Sequence, residues 1–417
     1  MGTAATEQDV AIIVEYCTSN DIPFLAQNGG HMWATTFHLV SDGLLIILGG
    51  LNSVTFNRDK TEVTVGGGAR VSELISAASE NNALVQTANC DCIGILGALL
   101  GGGYGYMMGQ VGFAVDNVLS LNVVLADGRL RMITPEDGDL FWAFRGAGPN
   151  FGIVTSAKLK AYPVSSSAQI AWTGQLVYTP DKVKAVLETL HSFTLGPKMS
   201  IILFYRTTGS PDYAPRVALA PFYHGSKEEG RAAFSSFLDL NPIDDFTDAF
   251  QYPHWNGDGG PACNTTAYQP AYGSGLGQLD VNTWMQVWDE FVSHVALNGT
   301  GGSSVMLETY PLAKARSFPE SSSAYAWRNQ VNSNAMVYPL YHDTELESAS
   351  LAWGSKIRDL WRATDGLDSR AGYINFAHGD EDPSVVYGQN VDRLRTIKAA
   401  VDPTNVFNQS LDLWKSV

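Results

Sequence analysis

The chain is 417 residues long, and at roughly 150 residues per domain that length allows two or three folding units. Hydrophobic residues make up 45% and charged residues 16%, which excludes a disordered or coiled-coil protein. Acidic residues outnumber Lys and Arg by 42 to 26, a net charge of −16, which argues against nucleic acid or an anionic membrane surface as partner.

Residues Met1 to Asp9 are polar and carry no charged stretch followed by an apolar core, so they do not read as a secretory signal, and compartment stays open. Met1 to Thr6 fits a myristoylation pattern, but a small-residue leader before a helix is the simpler reading. Thr6 and Asp9 form an N-cap pair, which predicts a helix over 7–19. Strands are expected at Pro23–Gln27, Leu44–Leu48 and Glu62–Val65, and a helix at Val71–Ser79. Val118–Leu125 alternates apolar residues and meets Asp127-Gly128, a hairpin signal. Gly152–Ala161 reads as another strand.

After Pro163 the texture changes. Strand candidates Ile170–Tyr178, Ser200–Arg206 and Val217–Tyr223 alternate with helices Lys182–Phe193 and Glu228–Leu238. Asn241–Gly277 is rich in Gly, Pro, Asn and aromatics and reads as loops. Strands resume at Ser303–Thr309 and Ala326–Tyr341, followed by a helix at 344–364. Gly372–Phe376 reads as a strand and Tyr387–Val401 as a helix stopped by Asp402-Pro403. No 18-residue apolar run occurs, so no membrane-spanning helix is expected. Cys17, Cys90, Cys92 and Cys263 are too few for a disulfide scaffold, and Cys90 and Cys92 lack the second pair a zinc site needs. Sequons at Asn264, Asn298 and Asn408 are unsurprising in a chain this long.

Three glycine-rich segments carry the chemistry. Gln27-Asn28-Gly29-Gly30-His31 follows a strand, where two glycines let backbone N–H groups approach an anion. Cys90–Gly105 interleaves six glycines, Gly94, Gly97, Gly101, Gly102, Gly103 and Gly105, with apolar residues. It fits backbone lying against a large flat group, or a phosphate cradle at a helix start, or a glycine-packed buried helix. It is neither a Walker loop nor a standard dinucleotide fingerprint. The third segment, Arg145–Val154, ends a helix and opens a strand. Together the three suggest one extended cofactor wrapped in backbone amides.

With Gly112–Val118, Tyr373-Ile374-Asn375, Tyr387-Gly388 and Asp402–Phe407 in the same order, these segments resemble the vanillyl-alcohol oxidase superfamily of flavoproteins. The match is to its berberine-bridge-enzyme-like branch with a PCMH-type FAD domain. The resemblance implies an α+β fold: a two-part FAD domain built from both chain ends, 1–163 and 366–417, around a substrate domain, 164–365, of antiparallel sheet covered by helices. Relatives carry a strand ahead of the segment matching Thr6, so either the first strand of the FAD domain is expected to be missing here or the start of the sequence is expected to be truncated.

The family's Gly-Gly-His histidine bonds covalently to the flavin's dimethylbenzene methyl group, which implies that role for His31. Two-link members have a cysteine four residues before the first glycine of the second block, which points to Cys90; a small buried hydrophobe is the alternative for that thiol. Further contacts to FAD are implied for Asn28, Gly29, Gly30, Ile93, Gly94, Gly97, Gly101, Gly102, Gly103, Asp116, Asn117, Gly148, Gly152, Ile153, Val154 and Asn375. Ile93 falls at the family's oxygen gate, and its β-branching resembles the valine of oxidases.

Tyr373 and Asn375 match a Tyr-x-Asn strand, where residues two apart share a face. The resemblance makes Tyr373 the base for a substrate hydroxyl and Asn375 a hydrogen bonder to the flavin's polar edge. A phenol with an ordinary pKa near about 10 needs help in that role. The position where relatives carry a lysine for this falls at Asn334, with Met336 two further on. His342 and His378 are substitute bases by residue type alone.

The resemblance implies an FAD-linked oxidase that dehydrogenates a small organic molecule, an intermediate of secondary metabolism, with reoxidation by O2 to H2O2, and that acts as a monomer. Aromatics such as Tyr252, His254, Trp255, Tyr268 and Tyr272 suit an apolar substrate. A carbohydrate oxidase of the same fold, or a non-catalytic flavin-binding paralogue, are the alternatives.

Overall fold

The computed structural model describes residues 2–36, 39–40, 42–257, 263, 267–409 and 411–414. The chain forms two compact units: Met1–Gln169 with Ala313–Arg328 and Gly379–Val417, and Ile170–Leu312 with Asn329–His378. Residues 164–169 stay with the first unit because Val164 N–H bonds Asn82 O and the Gln169 amide exchanges bonds with Ser79. Two stretches fall outside the simple insertion expected from sequence: 313–328 belongs to the first unit, and 366–378 to the second.

In the first unit the helix Glu7–Ser19 starts where Thr6 caps it. Thr6 Oγ1 accepts from Asp9 N–H at 3.1 Å and Asp9 accepts from Thr6 N–H at 2.8 Å. The helix buries Val10, Ala11, Val14 and Cys17 in a cluster with Phe24, Ile46, Val124 and Phe407. A parallel sheet joins Gly2–Thr3, Leu44–Ile47 and Phe24–Gln27. A five-stranded antiparallel sheet runs Val54–Phe56, Glu62–Gly66, Ile153–Lys160, Val118–Val124, Leu130–Ile133. The Asp127-Gly128 hairpin forms as expected, with Gly128 at φ +76°.

The C-terminal helix is Val391–Val401, shorter than expected, because Gly388 at φ +50° breaks the chain after Tyr387. Its Lys398 is fully buried and donates to Asp402 Oδ2 at 2.6 Å, Asn150 O at 2.7 Å and Phe407 O at 2.9 Å. That fork ties the C-terminal tail to the turn at Gly148–Asn150.

The second unit is a nine-stranded antiparallel sheet. Ile201, Leu203 and Tyr205, Val305 and Leu307, and Ala335 and Val337 point to one face. There they pack with Val186 and Leu190, Trp284 and Trp288, and Trp353 and Trp361 of helices Val183–Ser192, Val281–Val295 and Glu347–Arg362. The helix Val281–Val295 was not anticipated from sequence. Its signals are Asp280, which caps it by accepting from Thr283 N–H at 2.7 Å, and Trp284, Val287, Trp288 and Phe291 on one stripe.

Two other expectations need correction. Asn241–Gly277 is not all loop, since it holds strands Asp248–Gln251 and Tyr272–Leu276. The strand expected over Ala326–Tyr341 is confined to Ser333–Tyr338. Asn264, one of the sequons, lies outside the described residues.

Candidate active site

In the first unit the glycine segments are knitted together by contacts that tolerate no side chain. A Cβ on Gly29 would lie 2.7 Å from Gly94 N and 2.9 Å from Cys92 O. Asn28 Nδ2 donates to Gly67 O and Ala69 O, both at 2.9 Å. Val71 N–H bonds Ile93 O and Ile95 N–H bonds Ala69 O, while Arg70 bridges to Gly94. Asn28–His31 and Ile93–Ile95 thus meet over a segment the sequence reading passed by, Gly66–Arg70. Its signal was a triple glycine directly after an apolar strand. Gly66 and Gly68 lie so close to Leu51 O and Leu48 O that a Cβ would overlap them, at 1.8 and 2.0 Å.

His31 sits at the edge of this knot, half-buried. Burial and, second, the positive charge of Arg70 hold its imidazole below the usual histidine range. A neutral ring keeps a nitrogen lone pair available, which is what a nucleophile needs. Cys90 is also partly exposed, and its Sγ lies 3.6 Å from Cys92 Sγ. Ile93 is partly exposed beside Gly94. Gly30 is exposed with φ +71°, a conformation that suits glycine, and Gly97 is exposed with open space where a Cβ would stand. This combination fits a flavin dinucleotide: a neutral imidazole, a thiol, and glycine backbone free of side chains.

The remaining sequence candidates are occupied by internal packing. Gly103, at φ +81°, lies against Ala114, and Gly102 O and Gly103 O accept from Val115 and Ala114 N–H. Gly101 closes the helix Ile95–Leu100. Asp116 is buried in a bidentate ion pair with Arg328, at 2.7 and 2.8 Å, and also accepts from Phe113 N–H. Asn117 donates to Val111 O and Phe113 O and accepts from the Tyr162 hydroxyl at 2.5 Å. Gly148 packs on Leu100 and Gly152 on Val123 and Val124. Ile153 and Val154 are buried at the start of the strand Ile153–Lys160.

In the second unit, the sheet face opposite the core carries Ile202, Phe204, Met306, Glu308, Asn334 and Met336, because their strand neighbours are the core residues. Antiparallel pairing sets Ile202, Glu308, Asn334 and Gly275 in one row across four strands. Directly paired residues share a face, with Cβ atoms about 5 Å apart. Asn334 is 1% exposed, and its Nδ2 has no hydrogen-bond partner among the described residues. Burial pushes the Glu308 carboxyl up to about 7, offset in part by a hydrogen bond of 3.2 Å from the Tyr310 hydroxyl. Glu308 is therefore an ionisable group the sequence reading missed. Nothing in the run Ser304–Thr309 distinguishes it from a carboxylate at a strand end.

Tyr373 and Asn375 are brought together, but not by a strand. Tyr373 is extended, with φ −85° and ψ 123°, and Ile374–Phe376 form a 3-10 turn. The segment forms no strand in the sheet; Gly275 N–H bonds Ala371 O at 2.9 Å where the two meet. The turn folds Asn375 back so that its Nδ2 donates to Tyr373 Oη at 2.7 Å. Cβ atoms built on Gly273 and Gly275 would meet Phe376 O at 2.4 Å and the Ala371 Cβ at 3.3 Å. The turn thus runs over the face that bears Asn334 and Glu308. Of the substitute bases, His342 is exposed, and His378 stacks on Tyr272 at 3.9 Å with Nδ1 donating to Ala271 O at 2.9 Å.

The glycine knot and the antiparallel unit define a PCMH-type flavin-binding oxidoreductase fold. Residues 3–134 match the family described as FAD binding domain, and residues 372–411 match the family described as berberine and berberine like. The chain is 32% identical to FAD-linked oxidoreductase OXR1 of Pyricularia oryzae, over 97% of this chain and 81% of that protein. It is 31% identical to FAD-linked oxidoreductase azaL of Aspergillus niger, over 95% of this chain and 86% of that one. Among solved structures it resembles berberine bridge enzyme in complex with (S)-reticuline, with TM-score 0.86, 16% identity, and coverage of 100% and 89%. It also resembles xylooligosaccharide oxidase from Myceliophthora thermophila C1 in complex with xylobiose, with TM-score 0.83, 22% identity, and coverage of 100% and 91%. These two likenesses concern the fold. The chain belongs to the berberine-bridge-enzyme-like family of FAD-linked oxidoreductases.

Proposed function

We propose that this chain is an oxidase that dehydrogenates a small, largely apolar organic molecule, such as an intermediate of secondary metabolism, and releases H2O2. FAD, when bound, supplies the hydride acceptor and returns electrons to O2. His31, whose imidazole burial favours in the neutral form, would hold the flavin covalently, and Cys90 would supply a second bond. Ile93, β-branched and partly exposed, leaves room for O2.

The observation that carries the reading is the 2.7 Å hydrogen bond from Asn375 Nδ2 to Tyr373 Oη. A hydrogen bond donated to a phenol oxygen stabilises the phenolate, so Tyr373 can take a proton from a substrate hydroxyl without the missing lysine. Asn334, at the lysine position, is a neutral amide and does not take this part. The apolar side chains Ile202, Phe204, Met306 and Met336 favour an apolar substrate over an oligosaccharide, which needs many hydrogen bonders.

The test is a peroxide assay on purified holoenzyme with panels of apolar alcohols and phenols and of oligosaccharides. Turnover in the first panel is expected. Turnover confined to the oligosaccharides overturns the substrate class, and a colourless protein overturns the oxidase reading.

A further inference from the structure

We propose that Glu308 and Asn334 form a recognition site for a neutral acceptor oxygen, a carbonyl or lactone, on an otherwise apolar ligand. The proposal rests on the oxidase reading and deepens it by naming the feature that the substrate or product presents to this face.

The geometry is a polar pair in apolar surroundings. Glu308 and Asn334 are directly opposed on neighbouring strands, with Met306 and Met336 opposed in the next row and Ile202 paired to Glu308 from the other side. The Asn334 amide is buried with Nδ2 unmatched among the described residues. An unmatched buried donor is destabilising, and a ligand oxygen would remove that cost. Glu308 remains partly exposed, and one of its oxygens, Oε2, already accepts from the Tyr310 hydroxyl. A proton on the carboxyl then resides on Oε1, which becomes a second donor.

Two donors side by side recognise an acceptor. Neither a cation nor an apolar methyl answers them, and a carboxylate ligand would bring charge into an apolar face. In the neutral acid form Glu308 donates; once ionised it can only accept, and it repels a carbonyl oxygen. Burial keeps that ionisation near neutrality, at about 7. The other ionisable groups that the pairing sets on this face are Arg206 and Arg216, the Tyr310 and Tyr338 phenols with Tyr373 above them, and Asp244 and Asp248 on the edge strands. The two aspartates are exposed and stand several strands away from Glu308, so recognition should weaken as pH rises through the Glu308 transition.

The experiment compares 2-acetylnaphthalene with 2-ethylnaphthalene, matched in shape and differing in the carbonyl, by calorimetric titration of the holoenzyme. At about pH 6 the ketone is expected to bind at least about tenfold more tightly, and at about pH 8.5 the preference is expected to shrink to the part the Asn334 amide supplies. Glu308→Gln, whose amide donates at either pH, should keep the full preference at both, and Glu308→Ala should show only the smaller, pH-independent preference at both. Equal affinity at pH 6, no binding of the ketone, or an undiminished preference in Glu308→Ala overturns the proposal. Because the readout is binding, failure of the oxidase reading shows separately, as absence of peroxide.

Discussion

At the scale of single residues, the proposed function gives flavin attachment to His31 and Cys90 and removal of the substrate proton to Tyr373. Burial and, second, the charge of Arg70 lower the pKa of His31, which favours its neutral, nucleophilic ring. With two anchors, His31→Ala should keep a covalent flavin through Cys90, and the His31→Ala/Cys90→Ala pair should release all flavin on acid precipitation. Peptide mass mapping checks both, and flavin freely released from His31→Ala would remove the second anchor. Tyr373→Phe should lower kcat by about 10²- to 10⁴-fold with a small change in KM, as for loss of a general base. Asn375→Leu removes the donor that stabilises the phenolate, so the ascending, low-pH limb of the kcat–pH profile, which reports the base, should move to higher pH. These positions were visible in the sequence as candidates because glycine spacing and the Tyr-x-Asn pair are local patterns. Glu308 was not, because its character comes from burial and from Asn334 across a strand pairing that no local pattern reveals.

At the scale of elements, the segment Ala313–Arg328 leaves the second unit's sheet between two of its strands and packs in the first unit. Arg328 anchors it: the guanidinium grips Asp116, donates to Ala315 O and the Ser323 hydroxyl, and lies 5.0 Å from the Phe113 ring centre. Trp327 Nε1 adds bonds of 3.0 Å to Val385 O and Val386 O, and the Tyr325 hydroxyl meets that of Tyr104 at 2.5 Å. Both charges of the Arg328–Asp116 pair are fully buried, so removing one strands the other. Arg328→Leu should cost about 3–5 kcal/mol in urea unfolding, and Arg328→Leu/Asp116→Leu should cost less than Arg328→Leu alone. A single substitution within 1 kcal/mol of wild type would show that the pair is solvated. Asp116 and Asn117 looked like cofactor contacts in sequence; their bonding here is internal, and the partner that explains Asp116 lies 212 residues away. The turn Ile374–Phe376 was read as a strand for a related reason. Its apolar pattern suits extension, but its backbone closes on itself, with Phe376 N–H bonding Tyr373 O and Ala377 N–H bonding Ile374 O.

Over the whole molecule, composition and segment order carried the fold class, while the allegiance of 313–328 and 366–378 depended on contacts between distant residues and was out of reach. The same long-range packing shifts two titrating groups of the second unit in opposite directions, the buried His294 and the partly exposed Glu308, and stability should follow pH through both. His294 lies flat on Trp353, with ring centres 3.9 Å apart and planes 3° apart, and its Nε2 has no hydrogen-bond partner among the described residues. Burial lowers its pKa from 6.5 to about 4, so between those values the unfolded chain binds the proton and the folded chain does not. Stability should fall as pH drops through that window, by at most about 1.4 kcal/mol per pH unit, and level off once both states are protonated. Glu308 shifts the other way, from 4.5 to about 7, so the folded chain keeps a proton that the unfolded chain has released. Its contribution is complete below about 4.5 and is lost as pH rises through 7. The two slopes oppose each other between 4.5 and 6.5, so wild type should vary little there, losing stability on either side. Urea midpoints read by tryptophan fluorescence across this range test the point. His294→Phe, which keeps an aromatic ring on Trp353, should flatten the acid limb alone, and Glu308→Gln the alkaline limb alone; a variant that flattens neither limb assigns the dependence to other groups.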